Sequence, residues 1–113
     1  MKQITAVIRP HMLEKVEHAL RSLKHFPGYT LLRGKGEGRG RAPGHAYRAG
    51  DHGIHEHDRA ILLIACTDEL ASQIVEAIRH AAHTGHPGDG LVTVAEAVSV
   101  VRIRSGEHDD AAL

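Results

Sequence analysis

Apolar positions change period several times along the chain, and the changes divide it into elements. Gln3–Arg9 alternates β-branched with other residues and reads as a strand. Pro10 ends it and suits the first turn of a helix. Through His11–Lys24, Leu13, Val16, Leu20 and Leu23 recur at helical spacing, with Glu14, Lys15 and Glu17 on the other side. Phe26-Pro27-Gly28 breaks that helix. Tyr29–Arg33 opens a second strand and Arg59–Cys66 (RAILLIAC) is a third. Leu70–His83 repeats Leu70, Ile74, Ile78 and Ala81 at helical spacing. Thr67 is its expected N-cap, Asp68 and Glu69 lie in its first turn, and Gly85 stands where a C-terminal glycine belongs. Leu91–Val98 is a fourth strand, Val100–Ile103 a short extended piece, and Ser105–Leu113 a polar tail.

The order β-α-β-loop-β-α-β predicts an α+β domain of ferredoxin-like topology. Two helices cover only one face of a four-stranded sheet. Yet Ile61, Leu63 and Ala65 alternate with Ala60, Leu62, Ile64 and Cys66, so the third strand is apolar on both sides. Two-sided burial needs a second layer. No element is left to supply it, which predicts an oligomer of identical chains. Between the second and third strands, Gly34–Asp58 shows neither the strand nor the helix period and reads as one outsized loop. Loops of that length are uncommon in compact domains unless they have a function.

Composition narrows the classes. A chain of 113 residues predicts one domain. Its 14 basic and 14 acidic residues balance, so no overall field favours nucleic acid or an anionic membrane. The longest apolar run, Ala60–Cys66, is too short to span a bilayer, and MKQITAVIRPH lacks the apolar stretch of a signal peptide. A lone Cys66 builds no disulfide framework and predicts a reducing, cytoplasmic setting. Eleven histidines against a single phenylalanine point to metal or pH chemistry.

Three stretches carry candidate phosphate chemistry. The glycines at 34, 36, 38 and 40 do not match GxGxxG. They allow either a flexible strand end or close backbone approach to a phosphate beside Lys35, Arg39 and Arg41. Thr84–Gly90 (TGHPGDG) has the glycine spacing of a P-loop, but Leu91 and Val92 stand where Lys and Ser/Thr should be, and a strand follows. It reads as a tight turn or as a non-P-loop anion site. Arg102 and Arg104 share one face of an extended segment, either as a solvated edge or as a bidentate phosphate clamp.

Taken together, the chain resembles the PII signal-transduction (nitrogen regulatory protein P-II) family, in the manner of a nonstandard member. MKQITAVIRPHMLEKVEHAL is similar to the family's first strand and helix. GKGEGRG with Tyr47-Arg48 is similar to its long T-loop, TGHPGDG to its B-loop, and VVRIRSGEHDDAAL to its C-terminal signature. The resemblance implies a single domain over 1–113, with a T-loop at about 38–58, a B-loop at 84–90 and a C-terminal segment at 99–113. It implies a homotrimer that binds ATP, ADP or AMP in clefts between subunits. Such a protein is not an enzyme; it regulates a target, such as a membrane transporter, an efflux pump or an enzyme, through its T-loop.

By the same resemblance, Thr30, Gly36, Gly38, Arg39, Gly88, Asp89, Gly90, Arg102 and Arg104 are the nucleotide-contacting positions. Three departures bear on the ligand. Leu91 replaces a phosphate-binding lysine, which weakens the case for a triphosphate. Gly40 replaces a glutamine that helps hold Mg-ATP with 2-oxoglutarate. His52 replaces a tyrosine that some members have uridylylated. His52, His55 and His57, with His45 upstream, form a candidate transition-metal cluster in the loop. Some nonstandard PII-like proteins accompany heavy-metal efflux pumps. Two readings follow: a nucleotide-responsive signalling module in nitrogen or heavy-metal homeostasis, and a histidine-rich metal-sensing trimer whose nucleotide site is secondary.

Overall fold

The structure is a computed structural model that describes residues 1–38 and 56–113. Strands β1 (Lys2–Ile8), β2 (Thr30–Gly36), β3 (His57–Cys66) and β4 (Gly90–Glu96) form one antiparallel sheet in the order β2-β3-β1-β4. Helices α1 (Leu13–Arg21) and α2 (Asp68–Ala82) cover one face. This is the α+β, ferredoxin-like arrangement that the alternation of elements predicts.

The strand period of two sorts each strand into a covered and an open face. On the covered face Ile4, Ala6, Ile8, Ala60, Leu62, Ile64 and Cys66 are buried against Val16 and Leu20 of α1 and Ile74 and Ile78 of α2. The other face carries a row of four apolar side chains. Leu32 pairs with Ile61, Ile61 with Val7, and Val7 with Leu91. The outer two of these are 47% and 58% exposed, while Ile61 and Val7 are half-buried. The next row, Thr30, Leu63, Thr5 and Thr93, is more polar.

Three boundaries in this part of the chain differ from the pattern-based reading. Gly34–Gly36 is strand rather than loop, because Gly34 pairs with Arg59, Lys35 with Asp58 and Gly36 with His57. An ion pair of 2.7 Å between Lys35 Nζ and Asp58 Oδ1 sits on that ribbon. Cross-strand pairing thus overrides the weak strand propensity of glycine. The first helix starts as a 3₁₀ turn, Pro10–Met12, and its α segment stops at Arg21, where the Ser22 hydroxyl donates to the His18 carbonyl at 2.8 Å. Thr67 has the extended backbone of an N-cap but makes no side-chain capping bond. The neighbouring Asp68 instead pairs with the Met1 amine at 2.7 Å and Lys2 Nζ at 3.3 Å, and this holds its carboxyl below the usual range.

The chain after β4 is more than a polar tail. β4 stops at Glu96, two residues before the expected end, and Val98 is 95% exposed. Val101 then bridges to His108, Arg102 N–H donates to the Glu107 carbonyl at 2.9 Å, and a 3₁₀ turn at Asp109–Ala112 buries Ala112. Local backbone bonds, invisible to hydrophobic periodicity, build this hairpin.

Gly90 opens β4 at φ +105°, and a Cβ placed there would lie 1.8 Å from the Val7 carbonyl oxygen. Both the left-handed backbone and the contact with β1 demand glycine. Gly90→Ala is expected to lower stability by at least about 3 kcal/mol, from combined backbone strain and overpacking. Urea unfolding of the two proteins measures it, and a difference under 1 kcal/mol would show that this junction yields easily.

Candidate functional site

Residues 84–90 join α2 to β4 and reach the end of β1. The Asp89 carboxylate organises them from inside. Its oxygens accept the Thr84 backbone N–H at 2.8 Å, the Gly85 N–H at 3.0 Å and the Thr84 hydroxyl. The Thr84 hydroxyl in turn accepts the His86 N–H at 3.2 Å. These bonds, led by the Thr84 hydroxyl and helped by Arg9, hold the Asp89 carboxyl down at about 2. His83 Nδ1 lies 3.8 Å from the same carboxylate.

Arg9, the residue after β1, ties the loop to the sheet. Its Nε donates to the Gly88 carbonyl at 3.1 Å and its Nη2 to the Pro87 carbonyl, while Nε stands 3.6 Å from Asp89 Oδ1. Gly88 has φ +97°, and a Cβ there would meet Arg9 Nη2 at 3.0 Å and Arg59 Nη2 at 3.7 Å. Arg59 also reaches the β2–β3 ribbon, since its Cγ lies 3.5 Å from where a Gly36 Cβ would be. Arg59 therefore links Gly36 to Gly88, bringing two of the expected phosphate-contacting stretches to one end of the sheet. Neither Arg9 nor Arg59 is singled out by the sequence. Arg9 lies far along the chain from the loop it serves, and Arg59 reads as an ordinary strand start.

The remaining site candidates fall elsewhere. Thr30 pairs with Leu63 at mid-sheet, at the opposite end of β2 from Gly36. Arg102 and Arg104 follow β4, which leaves the loop at Gly90, opposite Ile8, and ends at Glu96, opposite Lys2. The strand carries the chain roughly 20 Å away, at about 3.3 Å per residue. Arg102 is engaged there by its own hairpin, donating from Nη2 to the Ala112 carbonyl at 2.6 Å, and Arg104 is exposed. Gly38 follows β2 and is exposed. Within this chain, Gly36, Gly88, Asp89 and Gly90 lie at the 84–90 end of the sheet, Arg102 and Arg104 belong to the C-terminal hairpin, and Thr30 stands apart from both.

Arg39, Gly40, His45, His52 and His55 lie outside the described residues. His57 is exposed at the start of β3, opposite Gly36. Among the described residues no group of three or more His, Cys, Asp or Glu could hold a metal ion, so nothing there supports the metal-sensing alternative. No described helix is long and apolar enough to cross a membrane. A groove of about 350 Å³ lies beside the loop between α2 and β4, lined by Ile78, Arg79, Ala82, His83, Asp89 and Val92 among others. Its walls are mainly apolar, so it is no phosphate cradle by itself.

A loop of this construction on a ferredoxin-like sheet defines a class. The family model described as "Nitrogen regulatory protein P-II" matches residues 1–107. The chain is 36% identical over 113 residues, the whole of both proteins, to nitrogen regulatory protein GlnK of Escherichia coli (strain K12). It is 36% identical over 107 residues, 95% of each, to nitrogen regulatory protein P-II of Rhizobium meliloti (strain 1021), and equally to that of Azospirillum brasilense. The chain belongs to the P-II family of nitrogen regulatory proteins, which are signal-transduction regulators and not enzymes.

The depressed pKa of Asp89 has a definite sign. The folded value of about 2 lies below the ordinary 3.8, so its stabilisation is complete above about pH 4 and fades as pH falls towards 2. Asp89→Asn is expected to cost about 1–3 kcal/mol at neutral pH, the scale of hydrogen bonds to a charged group. The gap to wild type should close between pH 4 and 2. Unfolding midpoints across that range measure it; a constant gap would mean that the carboxylate charge is not what holds the loop.

Proposed function

We propose that the protein is a homotrimeric, cytoplasmic P-II signalling protein. It binds adenine nucleotide in clefts between subunits and regulates a partner protein through the β2–β3 loop. The division of the candidate residues supports this reading most. Gly36, Gly88, Asp89 and Gly90 gather at one end of the sheet, whereas Arg102 and Arg104 hang from the other end of β4. A site split in this way is complete only when the hairpin of one subunit meets the loop of the next. The open row Leu32, Ile61, Val7 and Leu91 supplies an apolar reason for subunits to associate.

In this reading the 84–90 loop and Arg59 form the phosphate side, and Arg102 and Arg104 close over it from the neighbouring subunit. Leu91 at the lysine position leaves one cation fewer for a terminal phosphate, so the diphosphate should not bind more weakly than the triphosphate. The partner is a protein, either a membrane transporter or an enzyme. A buried, reduced Cys66 thiol suits the cytoplasm.

Light scattering is expected to give roughly three times the 12.2 kDa chain mass; a monomer at micromolar concentration would defeat the shared site. Calorimetry should detect binding of ADP and ATP, with no tightening of ATP on addition of 2-oxoglutarate. Replacing both Arg102 and Arg104 with Ala removes charge-assisted contacts worth roughly 1.5–3 kcal/mol each. Wild-type affinity in that variant would rule out the hairpin as part of the site.

A further inference from the structure

The geometry points to Arg9 as the positioning residue of the anion-binding loop: it sets the direction of the peptide groups that would meet a phosphate. This inference rests on the nucleotide reading above and deepens it.

His86-Pro87-Gly88-Asp89 is a turn with proline second and a glycine at φ +97° third, the arrangement of a type II turn. What distinguishes type II from type I is the orientation of the central peptide, here Pro87–Gly88. Proline second and glycine third favour that orientation without locking it. Here Arg9 fixes it from outside, because Nη2 donates to the Pro87 carbonyl and Nε donates to the Gly88 carbonyl at 3.1 Å. The guanidinium is planar and its donors are set in a rigid fork, so two adjacent carbonyls are held together.

A trans peptide points its N–H opposite to its C=O, and no described peptide is cis. With the Pro87 carbonyl turned to Arg9, the Gly88 N–H faces away from it. An outward N–H in a left-handed turn is the element from which anion-binding concavities are made. The Asp89 carboxylate is turned inward and occupied by Thr84 and Gly85, with Arg9 beside it, so its charge is compensated rather than presented to a ligand. Arg9 itself is three-quarters covered and committed to the loop. It acts through the backbone of residues 87 and 88 and not by touching the ligand.

The test uses Arg9→Met and Arg9→Lys in the intact protein, with ADP, adenosine and inorganic pyrophosphate as probes. Arg9→Met is expected to weaken ADP by about 10- to 100-fold, the scale of losing one charge-assisted bond, while adenosine is unaffected. In amide NMR spectra the Gly88 signal should move on addition of pyrophosphate in the wild type and stay still in Arg9→Met. Arg9→Lys keeps the charge but not the fork, so it should restore thermal stability and recover only part of the ADP affinity. It also serves as the reading variant if Arg9→Met does not fold.

Equal proportional losses for ADP and adenosine would reduce Arg9 to a structural residue and overturn the inference. So would wild-type ADP affinity in Arg9→Lys, or a Gly88 amide that ignores pyrophosphate in the wild type. A wild type that shows the pyrophosphate response and binds no adenine nucleotide defeats the nucleotide reading alone and leaves the role of Arg9 standing.

Discussion

Four strands present two faces, and the helices of this chain suffice for one. That constraint runs through the whole molecule. The covered face is filled by small and branched side chains at alternate positions, from Ile4 in β1 to Cys66 in β3, with α1 and α2 laid over them. The open face keeps Leu32, Ile61, Val7 and Leu91 in a continuous row. At roughly 25 cal/mol per Å² of buried apolar surface, such a row is a substantial reason for association. With the proposed site between subunits, assembly and ligand binding would be interdependent without any separate device.

The chemistry at the end of the sheet works by turning charge inward. Asp89 spends its carboxylate on the amides and hydroxyl at the start of its own loop, and Arg9 spends its guanidinium on carbonyls of the same loop. The result is a short segment held from within by Asp89 and from β1 by Arg9, with glycines at 88 and 90 where side chains would collide with Arg9 or Val7.

How much of this was legible in the sequence depended on range. Helical and strand periods located β1, β3 and α2 to within a residue or two, because burial on one face leaves a local imprint. The same logic failed at Gly34–Gly36, where strand formation depends on pairing with His57–Arg59 and not on the glycines themselves. It failed again after Glu96, where backbone bonds rather than apolar spacing shape the hairpin. Resemblance supplied Gly88, Asp89 and Gly90, but not that the Asp89 side chain would be engaged by the loop. Nothing in the spacing of residues 9 and 59 could have announced that both would crowd over Gly88.

Cys66 ends β3 fully buried under the helices, beside Lys2 of β1, and burial pushes its thiol pKa up. A thiol in that state barely reacts, since the thiolate is the nucleophile. It becomes reactive only when the sheet and its helical cover part. The chain thus carries one built-in chemical clock. The rate at which a thiol reagent labels it counts excursions of the core from its closed state, and anything that binds the closed form should slow that clock in proportion to its occupancy.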